Sequence, residues 1–168
     1  MIADKTTGNA KRPPQRTRMV QEVRHDTYKL RGKLKEPTVC RTCGAVFHKG
    51  RWSWGKKPAG AAATTCAACA RAADRYPAGL LTLKGSYVLA HREDLMNVAR
   101  SEERKAKAEH PLSRIMAIEE TKDGFIVQTT DTHLARRIGE ALHHAHDGTF
   151  KFRYREAAQL LRAAWTKD

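Results

Sequence analysis

The four cysteines of the chain form two Cys-x-x-Cys pairs, and this arrangement constrains the fold more than any other feature. Cys40 and Cys43 form the first pair, Cys66 and Cys69 the second, and 22 residues separate the pairs. A tetrahedral zinc site held by four thiolates has this pattern, although the separation slightly exceeds the commonest range of ~15–20 residues. A thioredoxin-like redox site would need one pair only, and disulfides are rare in the reducing cytosol. We therefore expect all four thiols to bind one structural Zn²⁺.

Charge is distributed unevenly along the sequence. The chain carries a formal net charge of +14, and residues 1–80 hold 17 basic against 5 acidic side chains, whereas residues 81–168 hold 15 against 13. Four thiolates and one Zn²⁺ together carry −2 and would lower the total to +12. Blocks of like charge repel, so they are typical of chains that bind a polyanion or remain disordered. Nucleic acid is the first candidate partner, and an anionic membrane surface or a solubilising tail is the alternative.

Residues 1–35 have the composition of a disordered arm. They contain ten Lys or Arg, three acidic residues and few large apolar side chains. Such a segment buries too little surface to offset the entropy lost on ordering. We expect the arm to be disordered alone and to become ordered on a partner through phosphate contacts. The candidate contacts are Lys11, Arg12, Arg16, Arg18 and Arg24.

The loop between the cysteine pairs combines two tryptophans with basic side chains. Trp52 and Trp54 alternate, which favours a short extended segment with both indoles on one face. Aromatic rings can stack on unpaired bases, each base contributing ~1–3 kcal/mol, while neighbouring cations hold phosphates. An indole can instead cover the metal site of a module with little core, and we expect one tryptophan in each role. The candidate contacts around them are His48, Lys49, Arg51, Lys56 and Lys57.

The composition changes after residues 76–79, where a Pro-Ala-Gly turn marks a boundary. Hydrophobic periodicity beyond it predicts the order βαββαβ with a further helix at the end. This is the ferredoxin-like order of an α+β fold, in which an antiparallel sheet carries helices on one face. The chain is thus predicted to contain a basic arm (1–35), a zinc-ribbon-like module (36–79) and an α+β domain (80–168). The predicted strands are 80–83, 115–119, 125–130 and 150–154. The predicted helices are 87–108, 156–165 and one that Asp131 caps and Gly148 closes, with the apolar stripe Leu134, Ile138, Leu142 and Ala145.

The last predicted strand alternates strictly between aromatic and basic side chains. The basic positions are Lys151, Arg153 and Arg155, and the aromatic positions are Phe150, Phe152 and Tyr154. With the aromatic rings turned toward the helices, the cations would give the sheet a basic outer face. Three charges on an exposed strand can also be a solvated surface without further function.

The sequence shows no set of residues for catalysis. Four histidines lie on or near one predicted helix. Helical geometry scatters them, because residues two apart on a helix do not share a face. No nucleophile, paired carboxylate or oxyanion loop accompanies them. His48 could replace one thiolate at the metal, although a surface or phosphate-facing position is expected for it. We therefore expect a protein without enzymatic activity.

Hydrophobicity along the sequence gives no indication of a membrane segment. No window approaches the ~18 apolar residues of a membrane span. The N-terminal stretch also lacks the apolar segment of a secretory signal. A cytoplasmic location is expected.

Several motifs resemble those of a known family. The motifs CRTCG and CAACAR, with the segment GFIVQTTDTHLARRIGEAL, resemble the zinc-bearing part of the adaptor that exports the large ribosomal subunit from the eukaryotic nucleus, and of its archaeal relatives. The motifs EPTVC, HKGRWSW, YPAG, EHPLSRI and TTDTHLARRIGEAL are similar to those of short bacterial members of the family, over roughly residues 20–165. This resemblance implies binding to the large ribosomal subunit, mainly through ribosomal RNA, without a role in nuclear export.

The resemblance leaves open whether the protein acts in ribosome assembly, quality control or dormancy. A zinc-ribbon regulator that binds DNA would share the charge and the cysteine pairs. It should also carry a helix with exposed base-reading Arg, Asn or Gln, and no predicted helix clearly offers one. A nucleic-acid-processing enzyme would need a nucleophile or clustered carboxylates, whereas the acidic residues of this sequence are scattered.

Overall fold

The computed structural model describes residues 26–29, 32–155 and 158–168, and it shows an α+β protein with two mixed sheets. The strands of the small sheet are β1 (Thr38–Cys40), β2 (Val46–His48), β3 (Arg51–Ser53) and β4 (Ala62–Thr64). The strands of the large sheet are β5 (Gly79–Lys84), β6 (Ile115–Thr121), β7 (Gly124–Thr129), β8 (Thr149–Arg155) and β9 (Leu160–Thr166). The helices are α1 (Ala67–Asp74), α2 (Ser86–Ala90), α3 (Arg92–Glu109) and α4 (Thr132–His146).

The small sheet has the strand order β3-β2-β1-β4, and each strand is three residues long. A two-residue turn joins β2 to β3, where Lys49 and Gly50 have φ angles of 51° and 75°. Positive angles at both positions match the right-handed twist of the flanking strands. The carboxylate of Glu36 accepts the backbone N–H groups of both turn residues, at 2.6 and 3.2 Å, and so fixes the hairpin.

The part of the predicted arm that the structure describes includes residues packed on α1. The guanidinium of Arg71, which is 2% exposed, pairs with the carboxylate of Asp26 and lies 4.5 Å from the ring centre of Tyr28. The Tyr28 hydroxyl donates to the carboxylate of Asp74 at 2.8 Å. The candidate phosphate contacts of the arm lie outside the described residues and stay predictions: Lys11, Arg12, Arg16, Arg18 and Arg24.

The large sheet has the strand order β6-β7-β5-β9-β8, with β5 parallel to β9 and the other neighbours antiparallel. Helix α4 packs on one face of this sheet, and α3 packs against α4. The core between them is built from alternate strand residues and from the apolar stripes of both helices. Its largest fully buried side chains are Trp165, Phe125, Leu81, Leu83, Leu95, Leu134, Ile138 and Leu142.

The predicted C-terminal helix over 156–165 is wrong, because Leu160–Thr166 forms strand β9. Leu161, Ala163 and Trp165 are buried and alternate with more exposed residues, a period of two that belongs to a strand. The indole N–H of Trp165 donates to the carbonyl of Asp147 at 2.8 Å, which ties β9 to the end of α4. The alanine-rich sequence favours a helix locally, but pairing with β5 and β8 outweighs this preference.

Strand β9 also changes the predicted topology. In a ferredoxin-like sheet the fourth strand lies beside the first, which here is β5. Strand β9 occupies that position instead, and β8 lies at the edge. The sheet therefore has five strands and is mixed, whereas a four-stranded antiparallel sheet was expected.

The other elements predicted for the α+β domain are confirmed, except that one helix is interrupted. All four predicted strands are present, as β5, β6, β7 and β8. The helix predicted over 87–108 is interrupted at His91, between α2 and α3. Asp131 caps α4 as predicted, because its carboxylate accepts the N–H of Leu134 at 2.8 Å. Helix α4 buries the predicted apolar stripe except for Ala145, which is exposed.

Candidate metal centre

The four cysteines form one compact cluster of sulfur atoms. The sulfurs of Cys40, Cys43, Cys66 and Cys69 all lie within 4.8 Å of one another. The sulfur of Cys40 lies 3.8 Å from that of Cys69, and the sulfur of Cys43 lies 3.8 Å from that of Cys66. A metal bonded at ~2.3 Å to four sulfurs in a tetrahedron requires sulfur–sulfur distances of ~3.8 Å, whereas a disulfide requires ~2.05 Å. All four cysteines are free thiols. The cluster can hold a metal ion, as the spacing of the pairs predicted.

Short backbone elements place the sulfur atoms. Strand β1 ends at Cys40, and Gly44 with φ 76° reverses the chain, so that its N–H donates to the Cys40 carbonyl at 3.0 Å. Cys66 is the N-cap residue of α1, which places Cys69 in the first turn of the helix. Parallel pairing of β1 with β4 then brings the two pairs together.

Burial and hydrogen bonding act differently on the individual thiols. Burial raises the pKa of Cys40, but the backbone N–H groups of Cys43, Cys66 and Thr42 outweigh it and lower the pKa to about 6. Burial raises the pKa of Cys66, which is fully inaccessible, and that of Cys69. Cys40 is therefore ionised more readily than an ordinary cysteine. Four thiolates at these distances require positive charge among or beside them.

The guanidinium of Arg114 is a further member of the cluster, and the sequence did not predict it. Its nitrogens lie 3.2 Å from the sulfur of Cys43 and 3.5 Å from the sulfurs of Cys66 and Cys69. Burial by itself would lower the pKa of Arg114, but the hydrogen bond to Cys69 and the charges of Cys43 and Cys69 raise it above its ordinary value. The side chain is therefore cationic. No local sequence pattern marks this residue, because it lies 45 positions beyond the last cysteine.

The two tryptophans of the loop take different positions. Trp52 is half-buried against the cysteine cluster, and its ring centre lies 5.5 Å from that of Phe47. Trp54 is 41% exposed, and its indole N–H donates to the carbonyl of Lys107 in the last turn of α3 at 2.6 Å. Trp52 thus covers the cluster, and Trp54 is exposed. Stacking of Trp54 on bases stays a prediction, and its bond to α3 was not predicted.

The basic residues of the loop are exposed and do not join the cysteine cluster. The side chain of His48 is 55% exposed, and its Nδ1 lies 3.7 Å from the carboxylate of Glu36. Within the described ranges, the only group of metal-binding side chains is that of the four cysteines, so His48 does not replace a thiolate. The exposed cations of the loop are Lys49, Arg51, Lys56 and Lys57.

A second group of basic residues lies on the open face of the large sheet. Arg153 on β8 pairs directly with Arg162 on β9 and therefore shares its face, as do Lys151 and Arg155 two positions away along β8. We call these four residues the sheet-face cations. All four are exposed, and in the part of the chain that the structure describes none pairs with a carboxylate. Arg162 was missed at the sequence level because it was assigned to a helix.

The aromatic residues of β8 lie on the opposite face from these cations, as predicted. Phe150 and Tyr154 pack against the core, and Gly139 of α4 leaves space for the Phe150 ring, which would lie 2.0 Å from a Cβ atom there. Phe152 differs from the expectation, because it is 47% exposed. The guanidinium of Arg136 lies 4.7 Å from its ring centre.

Comparisons with known proteins leave the family of the chain open. No family model, no curated protein and no solved structure matches it. Among the described residues, no helix combines the length and the apolar character needed to cross a membrane. The class of protein is therefore defined by fold and site alone, as an α+β protein with a tetracysteine cluster that can hold a metal ion.

Proposed function

We propose that the protein is a non-enzymatic, zinc-containing RNA-binding protein that docks on the ribosome in the cytoplasm. The large subunit is the favoured site, and the role is one in assembly, quality control or dormancy. The choice of ribosome and subunit rests on the resemblance of the cysteine pairs and of the segment around α4 to the export-adaptor family. The choice of RNA rests on the surface of the protein.

Zinc is the metal that the thiol cluster favours. Four soft thiolates in a tetrahedron suit Zn²⁺, which has no redox chemistry and no preferred geometry of its own. Cys40, Cys43, Cys66 and Cys69 supply a complete set of four ligands, which is typical of a structural site. When bound, the ion contributes folding free energy to the module that surrounds it.

RNA binding is supported above all by the sheet-face cations. Arg153 and Arg162 lie side by side on strands ~4.8 Å apart, and Lys151 and Arg155 extend the row along β8 in steps of ~6.7 Å. Cations so close together repel one another when no carboxylate lies between them, and a bound polyanion offsets that repulsion. A row of this kind suits the phosphates of a single strand.

Helix α4 favours single-stranded RNA over duplex DNA as the partner. A helix that reads the major groove needs unpaired base-reading side chains. On α4, Arg136 and Arg137 instead bond to Glu140 and Glu102, each at 2.7 Å. The exposed ring of Trp54 adds a surface on which an unpaired base can stack. Duplex DNA, the partner of a zinc-ribbon regulator, is the competing outcome of the binding experiment.

The double variant Arg153→Ala/Arg162→Ala should bind single-stranded RNA more weakly and with a shallower salt dependence. In the wild-type protein, log affinity should fall linearly with log salt concentration, by ~0.7 for each phosphate neutralised. Loss of two contacts should therefore reduce the slope by ~1.4. Fluorescence anisotropy of a labelled oligonucleotide between about 50 and 200 mM salt measures both quantities.

A matched control removes two cations elsewhere. Lys122, in the turn between β6 and β7, and Arg104, on α3, are exposed and lie away from β8 and β9. The double variant Lys122→Ala/Arg104→Ala changes the net charge equally and should keep the wild-type slope. Equal slopes for the sheet-face variant and the wild type would contradict RNA binding at this face. Tighter binding to duplex DNA than to RNA would favour the DNA-binding regulator.

A further inference from the structure

Arg114 connects the cysteine cluster to the part of the chain that carries the large sheet. It lies between α3 and β6, whereas the sulfur atoms belong to the small sheet and α1. One guanidinium nitrogen lies 3.2 Å from the Cys43 sulfur and 3.5 Å from the Cys66 sulfur, and the other lies 3.5 Å from the Cys69 sulfur. A single side chain thus faces three of the four sulfurs.

The elements of the large sheet hold Arg114 in this position. Its Nε donates to the carbonyl of Pro111 at 2.7 Å, which fixes the guanidinium plane. Its backbone N–H donates to the hydroxyl of Thr130 at 2.9 Å, and its carbonyl accepts the N–H of Thr130 at 2.9 Å. The neighbouring Ser113 donates at 2.6 Å to Asp131, the residue that caps α4. The position of the guanidinium is therefore set by the end of β7 and the start of α4.

Further contacts among the described residues also cross between these two parts. Leu112 packs against the cysteine cluster, and the indole N–H of Trp54 donates to the Lys107 carbonyl. The first contact is apolar and the second is a neutral hydrogen bond. Arg114 is the charged contact among the three.

We propose that Arg114 is an outer-sphere member of the metal centre, and that the occupied centre fixes the small sheet to the large sheet through it. Four thiolates and one divalent ion carry a charge of −2, and the guanidinium offsets half of that charge. Its N–H groups donate to the sulfurs, and outer partners of this kind orient metal ligands and strengthen metal binding. Metal occupancy and the relative position of the two sheets are therefore coupled. This coupling does not depend on the identity of the partner macromolecule.

Arg114→Ala should bind zinc ~10–100-fold more weakly than the wild type, the usual effect of removing an outer-sphere partner. Titration of the zinc-loaded full chain with a chromophoric chelator measures the affinity. Arg114→Lys keeps the charge but lacks the planar fork of donors, so its loss should be smaller. Arg41→Ala is the control, because Arg41 is exposed beside Cys40 and its guanidinium bonds to the Ala63 carbonyl. It should retain the wild-type affinity.

The absorption spectrum of the cobalt-substituted protein separates a contact with sulfur from a general loss of fold. N–H donors stabilise the lone pairs of thiolate sulfur, so their removal in Arg114→Ala should shift the sulfur-to-cobalt charge-transfer band to longer wavelength. A residue that only supports the fold would leave the band in place. The presence of a charge-transfer band in the variant, shifted or not, also shows that the metal centre has assembled.

Hydrogen exchange of two indole N–H groups tests the coupling between the sheets. In the zinc-saturated Arg114→Ala variant, the N–H of Trp54 should exchange faster than in the wild type. Its acceptor, the carbonyl of Lys107, belongs to the part of the chain that carries the large sheet, so looser coupling of the two sheets weakens this bond. The N–H of Trp165 donates to Asp147 beside the large sheet and should exchange at the wild-type rate. Nuclear magnetic resonance resolves both signals in one sample.

Distinct results would overturn each half of the proposal. Wild-type zinc affinity in Arg114→Ala, or an equal loss in Arg41→Ala, would overturn the outer-sphere assignment. An unchanged Trp54 exchange rate in the zinc-saturated variant would overturn the coupling of the sheets, even where affinity falls. If Arg114→Ala fails to fold, the zinc titration, the cobalt spectrum and the indole hydrogen exchange are measured on Arg114→Lys instead. A weaker form of each effect is expected in that variant, and its absence would overturn the same half of the proposal.

Discussion

Cys66→Ser is expected to abolish metal binding and to unfold the small sheet, while the large sheet and its helices remain folded. Cys66 is fully buried and belongs to the sulfur cluster. The buried cluster around the sulfurs contains Ala45 and Ala68 beside the cysteines, and Val39 and Val46 are the larger apolar side chains buried in the small sheet. Structural zinc contributes ~10–16 kcal/mol in small zinc modules, more than the burial of these few side chains supplies. The large sheet has a separate apolar core and should survive the substitution.

Elemental analysis and amide hydrogen exchange measure these effects. The variant should contain no stoichiometric zinc and should lose protection in β1, β2, β3 and β4, whereas β5, β7 and α4 keep theirs. Thr65→Ser, a conservative change at the exposed residue before Cys66, should behave as the wild type. A Cys66→Ser protein with full zinc content would show that the cluster is not the metal centre. Loss of protection in both sheets would show that they fold as one unit.

Trp52→Ala and Trp54→Ala should separate support of the fold from contact with RNA. Trp52 packs on the cysteine cluster and on Phe47, so its truncation should cost ~3 kcal/mol of unfolding free energy and weaken binding only through unfolding. Trp54→Ala should weaken RNA binding by ~1–3 kcal/mol. Loss of its bond to Lys107 should lower stability by only ~1 kcal/mol. Thermal melting and zinc content are measured beside RNA affinity.

Trp54→Phe is the matched control for the exposed indole. Phenylalanine keeps an aromatic ring but has no N–H to donate to Lys107. Affinity near that of the wild type in Trp54→Phe, with a clear loss in Trp54→Ala, would identify stacking. Equal losses would assign the effect to the bond with α3. Full affinity and stability in both Trp52→Ala and Trp54→Ala would show that the loop is neither a stacking surface nor part of the core.

Sequence patterns were sufficient where neighbouring residues determine the structure. The paired cysteines predicted the sulfur cluster, because each pair forms within one tight turn or helix start. Asp131 and the apolar stripe that follows it predicted α4, since a cap and a helical period lie within a few residues. Strict alternation predicted the two faces of β8.

Distant contacts explain what the sequence did not reveal. The segment 156–165 is rich in alanine and leucine and favours a helix locally. Residues 160–166 instead form strand β9, because β5, far earlier in the chain, pairs with them and accepts Trp165 into a shared core. The same error concealed Arg162 as a sheet-face cation. Arg114 was missed because only the folded chain brings it to the cysteines.

Co-sedimentation with ribosomal particles tests the proposed function most directly. The zinc-loaded protein is centrifuged at moderate salt with purified large subunits, small subunits or chromosomal DNA. We expect it to sediment with the large subunit and to be released as salt rises, and we expect Arg153→Ala/Arg162→Ala to be released at a lower salt concentration. Sedimentation with DNA alone, or with none of the three, would contradict the proposal that this protein docks on the ribosome.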